Sequence, residues 1–256
     1  MQIRKLPVLN TLPRIVNRGS VIIAFLLDRM PYRRTENVER RLAARHAAII
    51  AAAREVASEG GMAAVQIAAV ARRAGIAAGT VYRYFAGKTD LIAAVIAEIA
   101  EREIGALRRA AAHAPGPLSA LASVVTSFAA RVLRQRRLAF AAIAEPVDAA
   151  LDPIRLKFRK LLADEFATRI AAAIGSGHLP EQDVTLAAAG VLGLLVEGTI
   201  GPLAPQSGGR ERDVVQALTL TALRALGLAD PRARGLVVQT TVGTIESSPT
   251  TLDRLA

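Results

Sequence analysis

From Val38 onward, apolar residues recur at helical spacing almost without interruption, and Gly or Pro breaks the pattern every 15 to 25 residues or so. Alternating polar and apolar runs, the mark of half-buried strands, are scarce, and the fold class is therefore all-α. Arg40 to Ser58 places Leu42, Ile49, Ile50, Ala53 and Val56 on one helix and stops at Gly60-Gly61, where glycine supplies the positive φ of a C-terminal cap. Leu91 to Ala112 repeats the pattern with Leu91, Val95, Ile99 and Leu107. It ends before Pro115-Gly116-Pro117, the sharpest break in the chain. Further helices are expected over Leu118 to about Arg134 and Arg137 to about Ala144. Asp152-Pro153 reads as a cap followed by proline at the first helical position, opening a helix to Ile174 that Gly175 and Gly177 close. Asp183 caps the next, to about Ile200, and a last helix runs from about Glu211 to Leu226. From Ala229 the chain is rich in Thr, Ser, Gly and Pro and reads as a flexible tail.

Charge divides the chain unevenly. Residues 1–90 hold 15 Lys+Arg against 6 Asp+Glu, whereas residues 91–256 hold 18 against 16, so the net +11 belongs mostly to the N-terminal third. A basic module joined to a nearly neutral one fits a polyanion-binding head on a body with other work, nucleic acid being the commonest polyanion; arginines solvating an Ala-rich helical surface are the alternative. The longest uncharged apolar run considered, Val21 to Leu27, falls far short of the ~18 residues a membrane span needs. A soluble chain is expected. The sequence has no cysteine and three separated histidines, His46, His113 and His178, which leaves no thiolate site and little for a metal. Residues 1–37 form an irregular basic extension interrupted by Pro7, Pro13 and Pro31. Leu27-Asp28-Arg29-Met30 is not a small-residue cleavage site, so cytoplasm is expected over secretion. Met30 can serve as a start in its own right, and the first 29 residues read as a candidate start-site artefact.

The sharpest local signal lies between Val65 and Leu91. A short helix over Val65 to Arg73, a break at Gly75 and a second helix over Ala77 to Phe85 give the length arithmetic of a helix-turn-helix. Val70, Ala74, Ile76, Val81 and Tyr84 can face inward together, and Ala71 stands where two crossing helices leave room for little more than a methyl group. The outward face of the second helix offers Gly79 for close backbone approach, hydroxyls on Thr80 and Tyr82, and the guanidinium of Arg83 for guanine or phosphate. Gln66, at the start of the first helix, can bond a phosphate. Lys88 stands close to the start of the next helix, where a cation opposes the helix dipole unless an anion such as phosphate joins them; a solvated surface lysine is the bland alternative.

Gly60-Gly61, Ile67 to Ile76, the run Gly79-Thr80-Val81-Tyr82-Arg83-Tyr84-Phe85 and then Lys88 to Leu91 together resemble the N-terminal DNA-binding region of the TetR/AcrR family, over about Arg40 to Ile96. The resemblance implies an all-helical homodimer: a three-helix reading head coupled through the helix near Lys88 to a larger helical ligand-binding and dimerisation domain. It implies a repressor on a palindromic operator, released by a small apolar effector, with no cofactor. The DNA-contacting candidates are Gln66, Gly79, Thr80, Tyr82, Arg83, Tyr84 and Lys88. Many members carry Ser or Thr near Gln66 and Ala77, so alanine at 77 forfeits a phosphate contact that Arg33, Arg34, Arg40 and Arg41 could replace.

The domains then run 1–37, the extension; 38–96, the helix-turn-helix domain; 97–228, the regulatory and dimerisation domain; and 229–256, the tail. Glu145, Asp148 and Asp152 read as helix-capping residues before a metal set. Phe128, Phe140, Phe158, Leu162 and Phe166 are candidates to line an apolar pocket, with ordinary core the alternative for each. The Asp183 to Ile200 helix is apolar nearly all round, with Gly190 and Leu194 on it; with Val214, Leu218 and Ala222 of the last helix it is the candidate dimer face, or else intramolecular core. An enzyme is disfavoured, there being no phosphate-cradling glycine loop, no His-Glu-x-x-His and no nucleophile with a base. A sequence-neutral architectural DNA binder has no use for a large neutral apolar domain.

Overall fold

The computed structural model describes residues 36–246, apart from 147 and 207. Among these there are ten α-helices, two 3-10 turns and no strand: α1 Glu36–Gly60, a turn at Met62–Ala64, α2 Ile67–Arg73, α3 Ala78–Tyr82, α4 Lys88–Ala112, α5 Pro117–Arg134, α6 Arg136–Ile143, a turn at Ala149–Leu151, α7 Asp152–Gly175, α8 Val184–Thr199, α9 Glu211–Ala225 and α10 Asp230–Glu246. Two compact units divide at Arg45 and His46, and everything below concerns the second. Arg33, Arg34, the Met30 start and the end of the tail lie outside the described residues. Within the first unit Arg40 and Arg41 are exposed residues of α1.

The central element is α5, packed against α4, α6, α7, α8, α9 and α10. Its sequence explains this position: Leu118, Leu121, Val124, Val125, Phe128, Ala129 and Val132 are buried over nearly the full circumference, as a helix covered on several sides requires. Among its buried residues the polar ones, Thr126 and Ser127, carry only small hydroxyls. Thr126 Oγ1 lies 3.2 Å from that of Thr219 on α9 and 3.1 Å from that of Thr240 on α10, so the polar groups satisfy one another across three helices.

The head core gathers Ile49, Ala53 and Val56 of α1 with Val70, Val81, Leu91 and Val95, all buried. Gly75 adopts φ +65°. Ile76 N donates to Ala71 O at 3.0 Å and Gly75 N to Arg72 O at 3.2 Å, a paired closure of the α2 C-terminus that needs a left-handed residue. Arg73 forks onto Glu59 at 2.9 and 2.6 Å, tying α2 to α1.

Two expectations are corrected. Asp152 is the first residue of α7 rather than its cap; the preceding 3-10 turn is capped instead by Asp148, whose Oδ1 accepts from Ala150 N at 2.9 Å. The expected flexible tail contains α10: Ala233, Leu236, Val237 and Thr240 recur at one-face spacing, and the first three are buried. Packing on α5 and α9 overrides the poor helix propensity of its Thr and Gly residues. The position between residues 96 and 97 lies inside the unbroken α4.

Candidate DNA-reading surface

The helix-turn-helix forms with both helices shorter than expected. Val65 and Gln66 precede α2 outside the helix, Gln66 with extended backbone, and Tyr84 and Phe85 follow α3 as a turn closed by bonds to Val81 O at 2.9 and 3.0 Å. Val81 anchors α3 with no exposed surface, and its opposite face is left to solvent. Tyr82 is 57% exposed, Gly79 and Arg83 are exposed, and Thr80 is half-buried. Neither Arg83 nor Arg72 nor Lys88 takes part in an ion pair among the described residues. Their charges are therefore available, whereas Arg73, held by Glu59 and Glu55, is committed to the fold.

An exposed tyrosine of this size, held out by a rigid three-helix core and without an internal partner, presents an apolar ring and a hydroxyl together. Tyr84 is half-buried, its ring 6.3 Å from that of His46, with Phe85 stacked on the same imidazole at 5.0 Å. That places Tyr84 against the core and leaves Tyr82 and Arg83 as the exposed side chains at the end of α3. Gln66 is exposed and donates from Nε2 to Ala63 O at 2.9 Å, which orients its carboxamide oxygen outward at the start of α2. Ala77 precedes α3 and gives it no side-chain cap, so the amides of the α3 first turn have no side-chain acceptor. Lys88 opens α4 half-buried, and no side chain caps that terminus either.

The C-terminal candidates separate. A cavity of about 70 Å³ is lined by Phe128, Phe158, Glu103, Arg131, Leu138 and Ala142, among others. Phe128 and Phe158 line this cavity. Leu162 and Phe166 do not: both are fully buried core, with Phe166 edge-on to Phe128 at 5.9 Å. Phe140 is 40% exposed, because the cavity takes Leu138, Ala139, Ala142 and Ile143 and so leaves residue 140 on the outer face of α6. Sequence reasoning missed Glu103 and Arg131, whose Nε stands 3.0 Å from each carboxylate oxygen; residues 28 apart carry no local signal of meeting. On the outer side, Gly190 is exposed and Leu194, Val214 and Leu218 are half-buried, but Ala222 is fully buried, since it points from α9 into the core.

The capping expectation for Glu145 is right in kind and wrong in address. Its carboxylate accepts from Met62 N at 2.7 Å, on the turn that leads into α2.

Residues 49–95 match the family described as bacterial regulatory proteins, tetR family. Over 54 residues the chain is 48% identical to the HTH-type transcriptional repressor KstR of Rhodococcus jostii (strain RHA1) and 46% identical to that of Mycolicibacterium smegmatis. The matched segment covers 21% of this chain and 26% of either relative, about a quarter of their length. The match to that family is to residues 49–95, the segment that holds α2 and α3. In fold, the chain is similar to FadR from Bacillus subtilis in complex with stearoyl-CoA (TM-score 0.59, 25% identity, 72% of this chain and 97% of that one). It is also similar to RolR in complex with resorcinol (TM-score 0.58, 22% identity, 78% and 95%). No helix among the described residues is long and apolar enough to cross a membrane.

Proposed function

We propose that this protein is a sequence-specific, cytoplasmic transcriptional repressor that binds a palindromic operator as a homodimer and is released by a small apolar effector. The observation that carries the reading is the outward face of α3, where Tyr82 and Arg83 project from a rigid core with no internal partner. On this reading α3 enters the major groove with Gly79 against the duplex and Thr80, Tyr82 and Arg83 at base edges or phosphates. Gln66 and the α4 terminus with Lys88 hold flanking phosphates, where backbone amides and an ammonium meet one anion.

Dimerisation is assigned to the outer stripe of α8 and α9. Leu186 is 73% exposed, and Gly190, Leu194, Val214 and Leu218 continue an apolar surface in which glycine lets a second copy's backbone approach. A dimer presents two α3 helices at a fixed separation, which a palindrome of matching half-site spacing satisfies. The effector site is the cavity between α4, α5, α6 and α7. The names of the fold neighbours, one with resorcinol and one with stearoyl-CoA, support organic molecules with an apolar ring or chain as its occupants. Release then follows from unequal effector affinity for two arrangements of the heads.

The test is selection of bound duplexes from a random pool, followed by binding measurements on the selected site with random duplex as competitor. A regulator prefers its site by ~10³-fold or more. Preference near unity, or undiminished affinity after Tyr82→Ala, overturns the reading. Light scattering that gives a monomer at micromolar concentration overturns the dimer assignment.

A further inference from the structure

The segment between α6 and α7 makes three long-range hydrogen bonds to the reading head, two through Glu145 and one through Asp148. Glu145 Oε2 accepts from Met62 N at 2.7 Å, and Glu145 Oε1 lies 3.5 Å from Ala63 N as a weaker second acceptor. Three residues on, Asp148 Oδ2 accepts from the Thr89 hydroxyl at 3.2 Å, in the first turn of α4. The 3-10 turn Met62–Ala64 begins after Gly61, which has no side chain to cap it, so a carboxylate arriving from 83 residues away supplies the missing acceptor. A charged acceptor on a part-buried amide is among the stronger hydrogen bonds in proteins.

Gly61 is shaped for this visitor. Its backbone sits at φ +78°, and a Cβ there would stand 2.7 Å from Glu145 Oε2. No other residue type offers both that conformation and that opening.

On its other side the segment is continuous with the cavity wall. Ala142 and Ile143 line the cavity, and Glu145 follows Ile143 by two residues. The last turn of α6 is also held by Arg155, which is 7% exposed and donates from Nη2 to Ala141 O at 3.3 Å. At about 70 Å³ the cavity is smaller than the ~150 Å³ that admits a benzene ring. An occupant larger than benzene that seats wholly within the cavity must therefore displace a wall, and α6, eight residues long, is the shortest of the four.

We propose that Glu145 is a positioning residue for DNA binding: it fixes the reading head relative to the cavity wall, and it passes wall displacement to α2 and α3 by moving the turn at Met62. This inference rests on the effector reading of the cavity.

The experiment is a double-substitution cycle in the full chain, read as affinity for the operator selected by the wild type. Ala139→Phe fills the cavity in place of an effector, and Ala139→Met serves if the bulkier ring prevents folding. Glu145→Ala removes the grip, while Glu145→Gln keeps an acceptor oxygen without the charge. The filler is expected to weaken operator binding about tenfold in the Glu145 background and less than threefold with Glu145→Ala, with Glu145→Gln between them. Exchange of the Met62 amide hydrogen is expected to accelerate at least tenfold in Glu145→Ala. Equal weakening by the filler in both backgrounds overturns the inference and leaves the cavity reading standing. A filler without effect in either background overturns the cavity reading and the inference with it. Unchanged exchange at Met62 overturns the grip itself.

Discussion

Replacing Gly79 by alanine separates folding from reading, because its effects on the two have opposite signs. Gly79 is the second residue of α3, exposed and without a positive φ, and an added Cβ meets nothing within 4 Å in the free protein. Glycine in a helix is ~0.5–1 kcal/mol less favourable than alanine. For a folded domain of this size that corresponds to a rise in Tm of ~1–4 °C, with the short α3 favouring the lower part of the range. Against a duplex the same methyl occupies space that the backbone alone leaves open. If the interface is packed as closely as a core, the intrusion costs ~1–3 kcal/mol, or ~5- to 150-fold in Kd. Thermal unfolding by circular dichroism and anisotropy titration of the selected operator measure the two effects. Gly75→Ala is the control: its Cβ is also unobstructed, but φ +65° makes the substitution cost ~1–2 kcal/mol of stability. A Gly79→Ala protein with raised Tm and unchanged affinity would refute close approach of α3 to DNA at this residue.

Tyr82→Ala and Arg83→Ala are each expected to weaken operator binding by ~1–3 kcal/mol while changing stability by less than ~0.5 kcal/mol, since both side chains are exposed; titration and unfolding of the same samples check both. Lys88→Ala is expected to weaken binding to all sequences alike and to lower the slope of log K against log salt by about 1, read from titrations at several salt concentrations. Arg73's hydrogen bonds hold the Glu59 carboxylate below its ordinary 4.5, so their contribution to stability is complete above that pH and is lost as pH falls through the lower folded value. Glu59→Gln should therefore flatten the acid limb of a denaturation-midpoint profile. Truncation after Leu228 removes α10 and uncovers what Ala233, Leu236 and Val237 cover; at ~1.5–3 kcal/mol per large buried side chain, a loss of at least ~3 kcal/mol is expected in urea unfolding.

The helices were legible in the sequence because their apolar faces are long and their ends punctuated. Gly61 and Gly75 fall at the turns their positive φ requires, and Asp183 caps α8 by accepting from Leu186 N at 2.9 Å. The exception, α10, has the required spacing of Ala233, Leu236, Val237 and Thr240, but on a background of Thr and Gly that hides it. Its apolar face becomes decisive only once α5 and α9 are there to receive it. Glu145 was legible as a capping residue, but not the turn it caps, since acceptor and donor lie 83 residues apart.

The reading head and the cavity differ in legibility for a reason that follows from the ligands proposed for them. A DNA duplex is a ligand of fixed shape, so a head that enters it needs particular residues at fixed intervals: a left-handed turn at Gly75, a buried anchor at Val81, exposed tips at Tyr82 and Arg83. A cavity for an apolar molecule requires only that side-chain volume be missing where several helices meet. Ala139 and Ala142, which help leave it, are indistinguishable in sequence from alanines that merely favour helix. The large aromatic residues are drawn to the best-packed places, which is why Phe166 fills the core while Glu103 and Arg131 line the opening. The family match falls on the same segment: residues 49–95, which hold α2, α3 and the start of α4.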